Sequence, residues 1–248
     1  MVKVKIALIG GIAQELSRKR IIGWKSSFFS ICEIINFNLN AKPDLVYNRG
    51  FSDYNLCQNL PTIEQIKSNS DNKDPWDITI YVMSAPLEYN FYSRILDENR
   101  IVVTYYEIKK ILKECEIPLE YYLIRLLYSY SLLHTVKKEK FLSMQDEEYL
   151  SHEDNRGCIF DMCGTYQEIS SSVNTPTICD ECAGKLVIHN FPNDKILQIR
   201  KELKGLKLAW INRLRSKIKQ SPLLSLIFTI LLTLIITLIG NFIFDWLK

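Results

Sequence analysis

Three runs in the first half of the chain have the apolar density of buried strands. Val2–Ile9 opens by alternating valine with lysine and then becomes continuously apolar, as suits a strand entering a sheet covered on both faces. It stops at Gly10-Gly11, which reads as a turn, because the pattern is not Gly-x-Gly-x-x-Gly and no Walker lysine follows. Asp77–Ser84 is the clearest strand, and Ile101–Tyr105 is another. Phe28–Leu39 is apolar enough for helix or strand, and Asp44–Tyr47 reads as a short strand after Pro43. Ser17–Lys25 is basic and reads as irregular; Tyr54–Leu60 gives no clear pattern. Between the two later strands, Ala85–Arg94 is a polar-aromatic loop. Its Tyr89, Phe91, Tyr92 and Arg94 suit a packed loop or the wall of a small-ligand pocket.

The helical signals lie between and after these runs. Pro61-Thr62-Ile63-Glu64 opens a short helix, with proline suited to a first turn. Asn69–Pro75 is a polar loop. Thr104-x-x-Glu107 has the spacing of a capping box ahead of Ile108–Glu114. From Pro118 to about His134, Leu123, Leu126, Leu127, Leu132 and Leu133 recur as the core face of an amphipathic helix. A charged helix over Lys137–Leu150 follows. Strands alternating with helices predict an α/β or α+β body over residues 1–150.

The last apolar stretch differs in kind. From Ser221 to Phe244 no residue is charged. About 20 apolar helical residues cross a bilayer core of about 30 Å, so residues 221–247 predict a single transmembrane helix. Between Asp194 and Gln220 nine lysines and arginines face two acids, Asp194 and Glu202, which makes 193–220 a basic amphipathic neck. By the positive-inside rule the N-terminal body then lies in the cytoplasm, single-pass and tail-anchored. Anionic lipid headgroups are the expected partner of the neck. Ser225, Thr229, Thr233, Thr237 and Asn241 recur every four residues. That slanted ridge allows either self-association of the helix or hydroxyls bonding back to their own turn.

The chain has 248 residues and a formal net charge of +3. The basicity sits in the neck and leaves the preceding body mildly acidic. With no nucleic-acid-binding motif either, a nucleic-acid partner is not expected.

Seven cysteines in a reducing compartment point to metal where they cluster. Cys32, Cys57 and Cys115 are scattered among apolar residues and read as buried thiols. The other four form Cys158-x4-Cys163 and Cys179-x2-Cys182, in a segment over 151–192. A two-residue gap lets both sulfurs of one turn face one ion, and two such turns make the tetrahedral set that Zn2+ accepts. Cys158, Cys179 and Cys182 are the firm ligands, and Cys163 or His152 completes the set. Four protein ligands close the site, so the zinc is expected to be structural.

The spacing His152-x5-Cys158-x20-Cys179-x2-Cys182-x2-Lys185-Leu186 resembles the C-terminal part of the archaemetzincins, cytosolic zinc metallopeptidase-like proteins. The resemblance implies that His152 stands at the third histidine of a catalytic zinc site. It places Cys158, Cys179 and Cys182 at three structural-zinc cysteines, with Glu153 where the first is expected. The family's His-Glu-x-x-His helix is absent: the histidines are His134, His152 and His189, and Leu142 stands ten residues before His152. The resemblance thus implies a body that keeps the structural metal and lacks the hydrolytic one.

Together these readings predict a membrane-anchored cytoplasmic binding or effector protein with a structural zinc site, without an intact catalytic centre and with an unassigned ligand or protein partner. By analogy of plan, it could serve bacterial defence or stress. The alternatives are a membrane-tethered degenerate zinc metallopeptidase and an oligomerising membrane-permeabilising effector.

Overall fold

The computed structural model describes residues 1–39, 50–62, 65, 76–97, 99–137, 150–152, 157–206, 226, 229–230 and 232–239. The chain divides into two compact units, Met1–Lys207 and Leu208–Lys248.

The first unit is built on a five-stranded sheet in the order β2-β1-β3-β5-β4. Its strands are β1 (Val2–Ile9), β2 (Phe29–Phe37), β3 (Ile78–Met83), β4 (Ser93–Asp97) and β5 (Arg100–Thr104). The first four in that order pair in parallel; β4 pairs antiparallel with β5 at the edge. The register sets Ile6 beside Ile80 and Ile80 beside Ile101. Every residue of β3 and β5 is buried, as parallel strands covered on both faces require. Side chains alternate between the faces along each strand. One face gathers Ala7, Ile9, Tyr81, Met83 and Val102 around Leu56 and Leu60 of the α3 region (α3, Asp53–Asn59).

The other face carries α5 (Leu119–Val136). Tyr128 of this helix packs edge-on against Phe29 of β2, with ring centroids 4.9 Å apart. Farther along the sheet, the Tyr122 hydroxyl donates to the carbonyls of Tyr92 (3.0 Å) and Thr104 (3.2 Å). The helix is buried from Leu119 to His134 except at half-buried Tyr121, so the expected amphipathic helix is a central one, covered all round. Buried Glu120 on this helix accepts from the Ser17 N–H (2.7 Å) and from Arg20 Nη1 (2.9 Å).

Short helices complete the unit: α1 (Ile12–Glu15), α2 (Arg18–Gly23), α4 (Ile108–Glu114), α6 (Tyr166–Asn174), α7 (Asp180–Ile188) and α8 (Asn193–Leu203). Several sequence readings change. Ser17–Lys25 is not irregular: Ser17 caps α2 by accepting from the Arg20 N–H. The Ala85–Arg94 loop runs into β4, because Ser93 and Arg94 pair with Val103 and Val102. Thr104 makes no capping box. It lies in β5 opposite Met83, and its hydroxyl accepts from the Tyr106 N–H, so the geometry of a cap is lost. Thr62 and Gln65, by contrast, exchange the reciprocal bonds of a capping box after Pro61 (2.9 and 3.2 Å). Of the scattered cysteines only Cys115 is buried; Cys57 is half-buried and Cys32 exposed on edge strand β2. The readings for Asp44–Tyr47, Asn69–Pro75 and most of Lys137–Leu150 lie outside the described residues.

The C-terminal expectation is corrected as well. Among the described residues no helix is long and apolar enough to cross a membrane. A span needs about 20 helical residues in succession, whereas the longest described helical run of the 221–247 stretch is 232–239. The rest of that stretch and of the neck beyond 206 lies outside the described residues. The transmembrane helix, the tail anchor and the single-pass placement of the body in the cytoplasm are therefore withdrawn. The membrane-anchored effector, the tethered metallopeptidase and the membrane-permeabilising effector fall with them. Within the second unit, Thr233 and Thr237 donate their hydroxyls to the carbonyls four residues back, both at 2.9 Å.

Candidate metal centre

Two loops and one helix start bring the metal-ligating side chains together. Cys179 is the N-cap of α7 and Cys182 lies in its first turn; the Cys182 N–H donates to Cys179 Sγ at 3.3 Å. This is why a two-residue gap works here: cap and third helical position face the same side of the turn. Arg200 of α8 braces that turn from outside, donating to the Ile178 carbonyl (2.8 Å) and to Asp180 (2.7 Å).

Cys158 comes from a tight loop. Gly157 adopts φ +99°, and a Cβ there would stand 2.7 Å from the Thr175 carbonyl oxygen, so glycine is required. Short bridges tie the loop to Thr177: the Ile159 N–H donates to the Thr177 carbonyl (2.8 Å), and the Thr177 N–H to the Gly157 carbonyl (2.7 Å). His152 enters beside it, pairing with Asp161; its carbonyl accepts from the Met162 N–H at 3.0 Å.

The ligand atoms of His152, Cys158, Cys179 and Cys182 all lie within 4.8 Å of one another. Cys158 Sγ and Cys182 Sγ are 3.8 Å apart, and His152 Nε2 is 3.5 Å from Cys179 Sγ. With Zn–S near 2.3 Å and Zn–N near 2.0–2.1 Å, a tetrahedron has S–S edges of about 3.8 Å and S–N edges of about 3.6 Å. Two measured edges thus have the lengths a zinc tetrahedron needs, and the group can bind zinc. Cys158 and Cys182 are buried, and Cys179 is half-buried. The other imidazole nitrogen, His152 Nδ1, is buried with no hydrogen-bond partner.

The electrostatics of the three thiols favour one thiolate, at Cys158. The Cys158 thiol is pulled down to about 5, chiefly by its hydrogen bond with Cys182. Burial opposes this; the amides of Cys179 and Phe160 and the ring of His152 add to it. Cys182 is pushed up by the same bond and by burial. Cys179 is pushed up by burial. Metal binding favours deprotonated sulfur, so an ion would displace the remaining protons.

Cys163, the other candidate for the fourth position, stands outside the group. Its amide donates to Asp161 Oδ1 at 3.0 Å. Burial pushes its thiol up, against the pull of the nearby Arg125 guanidinium. Where the resemblance put His152 at a catalytic zinc, this histidine instead joins the three cysteines. Glu153 lies outside the described residues. The aromatic loop also meets the centre: the Tyr92 hydroxyl donates to the Asp161 carbonyl at 3.0 Å. Tyr89, at its exposed end, takes a left-handed conformation (φ 55°).

The sequence reading did not find Arg125, whose guanidinium reaches the metal loop from α5. The available signal was one cation inside Leu123-Ile124-Arg125-Leu126-Leu127, where a long side chain without water must find polar partners.

Fold and site together define an α/β protein with a candidate Cys3His metal centre. No family profile matches the sequence, and no curated protein matches it. Among solved structures it is similar to the crystal structure of archaemetzincin from Methanopyrus kandleri. The match has 13% identity and a TM-score of 0.40, covering 76% of this chain and 95% of that one. This is a distant structural relationship and no more.

Proposed function

We propose that the chain is a metallopeptidase-like α/β binding module in which one structural zinc, held by His152, Cys158, Cys179 and Cys182, replaces catalysis with stapling. The observation that carries this reading is the convergence of those four ligand atoms within 4.8 Å. Four protein ligands leave no open position for a water nucleophile, which a hydrolytic zinc needs. The chain's other histidines, His134 and His189, lie on α5 and at the end of α7, and neither belongs to this group. The spacing of Cys158, Cys179 and Cys182 resembles the structural-zinc segment of the archaemetzincins, with Glu153 where their first cysteine is expected and His152 next to it in sequence. When bound, the metal supplies a fixed cross-link among three chain segments, and the body presents the binding surface.

Metal analysis of the purified full chain tests this. One zinc per chain is expected, lost in Cys179→Ser together with cooperative thermal unfolding. A second, chelator-exchangeable zinc accompanied by peptide cleavage would replace this reading with a hydrolytic one. Chain free of metal after zinc addition and desalting would remove it.

A further inference from the structure

Arg125 has 0% exposure, the largest fully enclosed side chain among the described residues. Among the described residues it forms no ion pair. Its Nη2 donates to the carbonyls of Cys158 (3.0 Å) and Asp161 (3.3 Å), the two ends of the turn that carries Cys158. Its Nε and Nη1 have no hydrogen-bond partner. Removing a guanidinium from water is costly, and two carbonyl contacts offset only part of that cost. A residue serving the core alone would do better as leucine or methionine.

We propose that Arg125 is the positioning residue of the metal centre; the inference rests on the zinc reading above. Its guanidinium fixes the backbone of Cys158, so that Cys158 Sγ meets Cys182 Sγ at the length of a tetrahedral edge. Ser172 Oγ of α6 donates to the same Cys158 carbonyl at 3.3 Å, and Tyr92 holds the Asp161 carbonyl. The three donors come from a helix of the body, a helix of the metal segment and the approach to β4. Together they add side-chain donors to a loop that its backbone already ties to Thr177 and His152. A loaded centre of Zn2+ and three thiolates is formally anionic, so a buried cation behind it is favoured by Coulomb attraction when the metal is in place. Partners one shell out from a metal typically change its affinity 10- to 100-fold when removed.

The experiment uses the full chain loaded with Co2+, whose visible bands report ligand geometry, and a chelator competition for affinity. Arg125→Met is expected to lower metal affinity by about 10- to 100-fold and to shift the d–d and sulfur-to-cobalt bands. Arg125→Lys, which can still donate to one carbonyl, recovers part of both, and Ser172→Ala loses less than Arg125→Met. A folded Arg125→Met chain with wild-type affinity and an unchanged spectrum overturns the inference and leaves the zinc reading intact. Wild-type chain that takes up no metal fails the zinc reading first, and the inference with it. If neither Arg125 variant folds even in saturating zinc, Arg125 serves the whole core and the inference is overturned.

Discussion

The sheet and the metal segment solve the same problem in opposite ways. In the sheet, order comes from many small contributions: Val4, Ile6, Leu8, Ile80, Val82, Ile101 and Val103 are all enclosed, and neighbouring strands share continuous registers. Over 150–191 the described residues pair through isolated bridges and form two nine-residue helices. There, a smaller set of enclosed side chains (Ile159, Phe160, Ile169, Val173, Ile178 and Leu186) is joined by the four candidate ligand atoms and by the contacts of Arg125. Burial is additive and tolerant, since each buried methylene contributes roughly 0.8 kcal/mol. A ligand set is close to all-or-none, because three ligands cannot close a four-ligand site. The first region should therefore soften gradually under mutation, and the second should fail at single positions.

Metal removal is the hardest test of that contrast. Structural zinc in small domains binds with an apparent 10–16 kcal/mol, which is folding free energy. Chelation is expected to expose the amides of 157–191 to hydrogen exchange while those of β1, β3 and β5 stay protected. Equal loss in both regions would show that the sheet depends on the metal. Next in size is a cavity in the sheet: Ile80→Ala, at a position with 0% exposure, should cost about 2–5 kcal/mol in denaturant unfolding. Zinc stoichiometry should stay unchanged; a drop would mean that the two regions share one cooperative unit.

The smallest effect concerns Glu15 of α1, whose carboxylate meets Lys109 (2.7 Å) and Lys113 (2.9 Å) of α4. Those lysines hold its titration below the ordinary carboxylate range. A depressed folded value means stability that is present above the unfolded value near 4.5 and lost as pH falls through the folded one. Glu15→Gln should lower stability at neutral pH by less than about 1 kcal/mol, as for other part-exposed pairs. The variant should also flatten this part of the acid dependence. An unchanged acid profile would show that the pair is spectator to folding.

Much of the sheet was legible because its strands carry their burial in their own composition: β1, β3 and β5 are apolar runs that no other environment suits. Edge strand β4 was not legible, since Ser93 and Arg94 follow a polar-aromatic loop and become strand only by pairing with β5. The capping-box spacing at Thr104 misled for the same reason: the residue was already committed to β5. In the centre, the Cys179-x2-Cys182 half could be read because it is local, one cap and one turn. The choice between His152 and Cys163 could not, because spacing along a chain does not say which loop folds back to meet it. The apolar stretch at 221–247 shows the converse limit: its composition suggested a span, and among the described residues no helix is long and apolar enough to be one.

By itself, then, the sequence determined an α/β body, its central strands, and a zinc-type ligand set with Cys158, Cys179 and Cys182 in it. These follow from local preference: hydrophobic runs, turn chemistry and thiol spacing act over a few residues. Only the tertiary structure decided that His152 joins those cysteines, that Cys163 turns away beside Arg125, and that α5 is enclosed on every side. Each of these depends on segments tens of residues apart meeting in space, and the energy that selects among such meetings is burial and polar satisfaction of the whole, which no short window of sequence contains.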